Sequence, residues 1–191
     1  MSWLEEAARG IIGSFHILRG RATEDVWDWF NLTERGFWRS FSAFVIAAPI
    51  YLAASRLGVP AELDTDAQKA VVGAAMLKGL LVLALQWISW PIVMVFVARQ
   101  LKLSQQYARY IIVYNWSTVL VLLIQVPPVL LYHYGLVDMQ AAAFLMLFAL
   151  GLVLYLRWQV ARIALAAPAL LAVMLVLLDM VISIGINRVF M

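Results

Sequence analysis

Five stretches of the chain stay apolar for longer than a globular core helix needs. They run from about Phe37 to Leu57, Ala70 to Ala98, Tyr107 to Tyr132, Ala141 to Ala164 and Pro168 to Ile186. A helix crosses the hydrocarbon of a bilayer with about 20 apolar residues, so each stretch predicts one transmembrane helix. Gly58 and Pro60 form a stop signal after the first, and Pro168 suits the first turn of the fifth. The second and third are longer than a straight span and contain Pro91 and Pro127–Pro128, which predicts tilt, a kink or an emerging end. The expected fold class is all-α: a polytopic membrane bundle of five transmembrane helices.

Residues 1–36 follow a different pattern. In "SWLEEAARGIIGSFHILRGR", Leu4, Ala8, Ile11, Phe15 and Leu18 recur on one helical face, with Glu5, Glu6, Arg9 and Arg19 on the other. This predicts an amphipathic helix on the membrane surface. In "TEDVWDWFNL", Thr23 is a candidate N-cap, with Glu24 and Asp25 in the first turn. Trp27, Trp29 and Trp38 are candidate interfacial anchors. A second use of Trp27 and Trp29, as anchors for a protein partner, stays open. The expected organisation is therefore an arm over 1–36 and a membrane domain over 37–191.

Composition supports lipid as the solvent. Of 191 residues, 65% are hydrophobic and 13% charged, against roughly 45–50% and about 25% in soluble domains. The net charge of +3 comes from cations scattered at helix ends, with no basic stripe that would suit nucleic acid. The absence of cysteine removes disulfides, thiol nucleophiles and Cys-ligated metals. His16 and His133 lie in separate regions, so neither a metal nor a cofactor is expected.

Placing the N-terminus inside puts ten cations on the cytoplasmic side: Arg9, Arg19, Arg21, Arg35, Arg39, Arg99, Lys102, Arg109, Arg157 and Arg162. Arg56, Lys69 and Arg188 fall outside, beside the acidic loop of Glu62, Asp64 and Asp66. The positive-inside rule then predicts N-in and C-out.

Ionisable groups within spans are costly and usually paired or functional. Lys78 lies eight residues past Ala70 and Asp179 seven before Ile186, roughly 12 and 11 Å from the outer ends at 1.5 Å per residue. Gln125 sits at a similar level, seven residues before Tyr132. The matching depths suggest a Lys78–Asp179 pair with Gln125 nearby. Snorkelling of Lys78 with separate satisfaction of Asp179, or a proton or ion relay, remain alternatives. The third span opens on a polar and aromatic face of Tyr107, Tyr110, Tyr114, Asn115 and Ser117, suited to cross-helix hydrogen bonds or to a ligand groove. Arg99 and Arg109 flank it as candidates for lipid phosphate. In "QWISWP", Pro91 frees a backbone carbonyl near Trp87, and Gln86 either satisfies it or faces Asn115; a kink and a hinge are both open.

No HExxH, GxSxG, P-loop or GxGxxG pattern occurs, and no carboxylate pair shares a membrane layer, so an enzyme is not expected. The five-span, N-in and C-out plan, with its N-terminal arm and Tyr-rich third span, resembles the Yip (Ypt/Rab-interacting protein) domain superfamily, and the stretches "GFWRSFSAFVIAAPIYL", "YIIVYNWS" and "RWQVARIAL" resemble short alphaproteobacterial membrane proteins. That resemblance implies a multi-pass protein of a bacterial inner membrane. Two roles follow as expectations. One is a non-enzymatic scaffold or accessory subunit that binds lipid and either another membrane protein or copies of itself. The other is a small transporter or channel using the Lys78/Asp179/Gln125 layer.

Overall fold

A computed structural model describes residues 2–20, 24–56 and 66–190. These residues are almost wholly helical and contain no strand. The helices are α1 (Trp3–Leu18), α2 (Glu34–Ser40), α3 (Ala43–Arg56), α4 (Asp66–Gln100), α5 (Ser104–His133), α6 (Met139–Ala164) and α7 (Ala169–Phe190), with a 3-10 helix over Glu24–Trp29 after α1. Five segments are long and apolar enough to cross a membrane: Glu34–Ala54, which takes in α2 and most of α3, then Val72–Gln100 and the whole of α5, α6 and α7. The chain is thus a multi-pass membrane protein by helix length and composition.

The helix ends follow local chemistry. Ser2 caps α1 in a capping box: its hydroxyl accepts from the Glu5 amide, and the Glu5 carboxylate accepts from the Ser2 amide. Thr33 caps α2 and Asp138 caps α6. The α4–α5 connection is three residues long. It closes as a Schellman turn, with Leu103 N–H on Ala98 O, Lys102 N–H on Arg99 O, and Lys102 itself left-handed at φ 58°. Gly135 closes α5 in the same way, at φ 68°. The candidate cap Thr23 and the stop signal Gly58/Pro60 lie outside the described residues.

The first predicted span is broken in two. The hydroxyls of Ser40 and Ser42 donate to Phe37 O and Arg39 O, and a tight turn at Phe41–Ser42 separates α2 from α3. Such side-chain bonds compete with the helical ladder. By contrast, Pro91, Pro127 and Pro128 sit inside continuous helices.

Helix α5 is the axis of the bundle. It packs on α1, α2, α3, α4 and α6, while α7 packs on α4 and α6. The residues from Tyr110 to Ser117 are all buried. Outward faces are apolar, as at Leu81, Phe96, Phe144, Leu147 and Val181, which suits contact with lipid.

Helix α1 is seated on α5 and α6. Its inward face is the small one: Ala7, Gly10, Gly13 and Ser14, with Ile17. Gly10 lies directly against the indole of Trp116, a close approach that only a residue without a Cβ allows. Leu4 and Phe15, expected as the lipid-facing stripe, remain exposed. Glu6 departs from its predicted polar face. It is 2% exposed, paired with Arg39 at 2.9 Å and bonded by the Asn31 amide at 3.3 Å. Burying a carboxylate is tolerable only with such partners.

Candidate functional site

A cavity of about 350 Å³ lies between the helices of the membrane bundle. Its wall takes Tyr51 from α3, Gln86 and Trp87 from α4, Tyr114, Thr118 and Gln125 from α5, Arg157 from α6, and Asp179, Ser183 and Asn187 from α7, together with aliphatic side chains. The cavity occupies the space where α7, held by α4 and α6, faces α5 across a gap. Its size falls at the lower end of the roughly 300–1,000 Å³ typical of small-molecule sites.

Three side chains from three helices build its charged end. The Tyr114 hydroxyl donates to Asp179, 3.0 Å from each carboxylate oxygen. The Arg157 guanidinium stacks on the Tyr114 ring, 3.8 Å from its centroid. Arg157 also donates from Nη1 to Tyr114 O at 3.2 Å and Ser117 Oγ at 3.1 Å, and from Nη2 to Thr118 Oγ1 at 2.9 Å. The Ser117 and Thr118 hydroxyls point their own protons at Tyr114 O, at 2.8 and 2.9 Å. Their oxygens are therefore free to accept from Arg157. Arg157 and Asp179 act on each other electrostatically across Tyr114, without the direct contact seen in Arg39–Glu6.

Beside this triad two aromatic hydrogen bonds tie α4 to α5. Trp90 Nε1 donates to the Tyr110 hydroxyl at 2.9 Å, both side chains are buried, and Tyr107 donates to Pro91 O at 3.1 Å. The acceptor in that last bond is the carbonyl of Pro91 itself, not the Trp87 carbonyl that the proline frees. At the other end the wall continues to Gln125, which is exposed, and to Asn187. From Tyr114 to Gln125 is eleven residues, roughly 16 Å along α5.

The predicted polar layer is only partly assembled. Asp179 and Gln125 line the cavity, but Asp179 takes Tyr114 and Arg157 as neighbours in place of Lys78. Lys78 stands exposed on α4 and is not part of the cavity wall. Matching depth was not enough to bring the two together, because depth says nothing of the direction in which a helix turns a side chain. Of the predicted face on the third span, Tyr107, Tyr110, Tyr114, Asn115 and Ser117 all make cross-helix or local hydrogen bonds. Asn115 donates to Ser40 Oγ at 2.9 Å, not to Gln86, which lines the cavity.

Arg157 is the residue the sequence pattern misplaced. Counted with the cytoplasmic flank, it lies seven residues inside the end of α6 and belongs to the bundle, so one of the ten flanking cations leaves that tally. Its signal was present: "YLRWQ" places Arg157 within an otherwise apolar 26-residue helix. The phosphate candidate Arg109 has a structural use, donating from Nε to Ala164 O at 2.8 Å and stacking 4.5 Å from the Trp27 ring. Arg99 is exposed at the end of α4. Trp27 and Trp29 turn toward their own chain, Trp29 against His16 at 5.2 Å, and Trp38 is 67% exposed. Trp27 and Trp29 are thus half-buried against their own chain.

Trp87 adds an observation at the cavity wall: it is buried, and its indole N–H has no acceptor among the described residues. Among the described residues no three His, Asp or Glu side chains gather to hold a metal ion. Comparison with known proteins finds no match to a family model, a curated protein or a solved structure.

Proposed function

We propose that this chain is a membrane solute-binding protein, and that its role is to take up or carry a small polar molecule through the cavity between α5 and α7. The observation that carries this is Asp179: a carboxylate within a membrane bundle, held by one tyrosine hydroxyl and lining an internal cavity beside Arg157. A charge placed for packing alone would be fully enclosed by partners. This favours the transporter-like role over the scaffold role, with Arg157 taking the place expected for Lys78.

In the N-in, C-out orientation that the flanking cations support, the Gln125–Asn187 mouth faces away from the cytoplasm. A bacterial inner membrane and a Yip-like relationship are part of the same proposal, the first supported by the resemblance of the three quoted stretches and the second by the five-span plan with its Tyr-rich third span. The accessory-subunit role keeps one specific support. An apolar groove of about 370 Å³ between α6 and α7, lined by Leu154, Tyr155, Trp158, Val173, Leu177 and Met180, fits an acyl chain or an apolar partner helix.

One preparation tests both. The protein is purified from native membranes into nanodiscs, and everything that co-elutes is identified by mass spectrometry. The wild type should retain a small polar molecule that Ser183→Leu, which fills the cavity, releases. Identical small molecules from both, with a stoichiometric protein or lipid partner, would instead establish the accessory role.

A further inference from the structure

The cavity's chemistry also selects a class of ligand, an inference that rests on the solute-binding proposal above. Its wall carries one guanidinium and one carboxylate, so their formal charges cancel. Neither is saturated. Arg157 uses three of its five N–H donors on Tyr114 O, Ser117 and Thr118. Asp179 has two oxygens sharing the single proton of Tyr114, where a carboxylate offers about four acceptor positions. Spare donors and spare acceptors of opposite charge thus face one pocket, separated by a single tyrosine ring.

Each simple ligand class leaves something uncompensated. A cation satisfies Asp179 but meets Arg157. An anion satisfies Arg157 but meets Asp179. A neutral polyol gives each charge only dipoles. Away from bulk water an unpaired charge is costly, so the best complement brings its own pair. We infer that the cavity binds a small zwitterion, its carboxylate toward Arg157 and its ammonium toward Asp179. The Gln86 amide lines the same cavity, and the aliphatic wall from Val121 to Val176 leaves room for a short hydrocarbon side chain. An amino acid of the glycine-to-leucine size range has this chemistry.

The test is equilibrium binding to the full chain in nanodiscs. Zwitterionic probes (glycine, alanine and leucine) are set against methylamine, acetate and glycerol. At least one zwitterion should bind ten-fold or more tightly than any of the other three. Asp179→Asn keeps the shape and the Tyr114 bond but leaves the pocket with a net positive charge. It should weaken the zwitterion at least ten-fold and tighten acetate. Because Arg157 also braces α5 against α6, Arg157→Gln is interpreted only alongside circular dichroism and a monodisperse elution profile. Preference for methylamine, acetate or glycerol would overturn the zwitterion assignment and leave the solute site standing. No binding of any probe, together with no solute retained in native membranes, would remove both.

Discussion

Gly10 offers a sharp test of how the N-terminal helix is held. A Cβ built on Gly10 would lie 2.5 Å from Cγ of Trp116 and 2.8 Å from two further ring carbons. Carbon atoms rest about 3.5–4.0 Å apart, so Gly10→Ala forces α1 and α5 to separate by about 1 Å. Trp116 cannot yield, since it is 1% exposed and enclosed by the core. Overpacking of this kind costs about 1–3 kcal/mol. Alanine also favours helix over glycine by about 1 kcal/mol, but α1 that lifts off as a helix carries that gain in both states, and it cancels. The docked arm should therefore open roughly 5- to 150-fold more often. Limited trypsin digestion at Arg9 and Arg19 in nanodiscs reads this, because cleavage of a transiently opened segment follows its open population. Gly151→Ala, where nothing lies within 4 Å of the new Cβ, should digest like the wild type. Equal digestion of Gly10→Ala and wild type would refute the seating of α1 on Trp116.

Two further outcomes follow from the buried charges. Glu6→Gln should lower thermal stability by about 1–3 kcal/mol; a cycle with Arg39→Gln should show coupling of roughly 1 kcal/mol, and strict additivity would deny the pair. Arg157→Met removes three hydrogen bonds between α6 and α5 and should cost at least about 2 kcal/mol, whereas Arg188→Met on the exposed end of α7 should stay within about 0.5 kcal/mol; equal effects would show that Arg157 is not a brace.

The spans were legible because lipid imposes a length. The second to fifth predicted stretches fall within four residues of the observed helices, from α4 at Asp66–Gln100 to α7 at Ala169–Phe190. The break at Phe41–Ser42 was not, since a serine bonding its own backbone looks in sequence like any serine in a helix. The polar cluster of the third span was found, but its partners were not. Asn115 meets Ser40 across 75 residues, and Tyr114 meets Asp179 across 65. Such pairings depend on how each helix is rotated about its axis, and low amphipathicity around α4 and α5 left that rotation unmarked. Arg157 was misread because proximity to a helix end resembles a flank, while the actual position depends on which way the side chain points. In the arm, the periodicity of Leu4, Ile11 and Phe15 drew attention to the larger apolar face. The smaller face of Ala7, Gly10 and Ser14 is the one that packs, because close approach needs small residues.

The seating of α1 also sets an order of events during synthesis. Its partners α5 and α6 lie about 90 to 140 residues further along the chain. At about 5–20 residues per second, the ribosome needs roughly 5 to 30 seconds to deliver them. Arg39 and Asn31 emerge almost at once, so Glu6 has its neighbours while the Gly10 notch waits empty. The arm is thus made well before its partners, and it closes onto Trp116 only once α5 has been delivered.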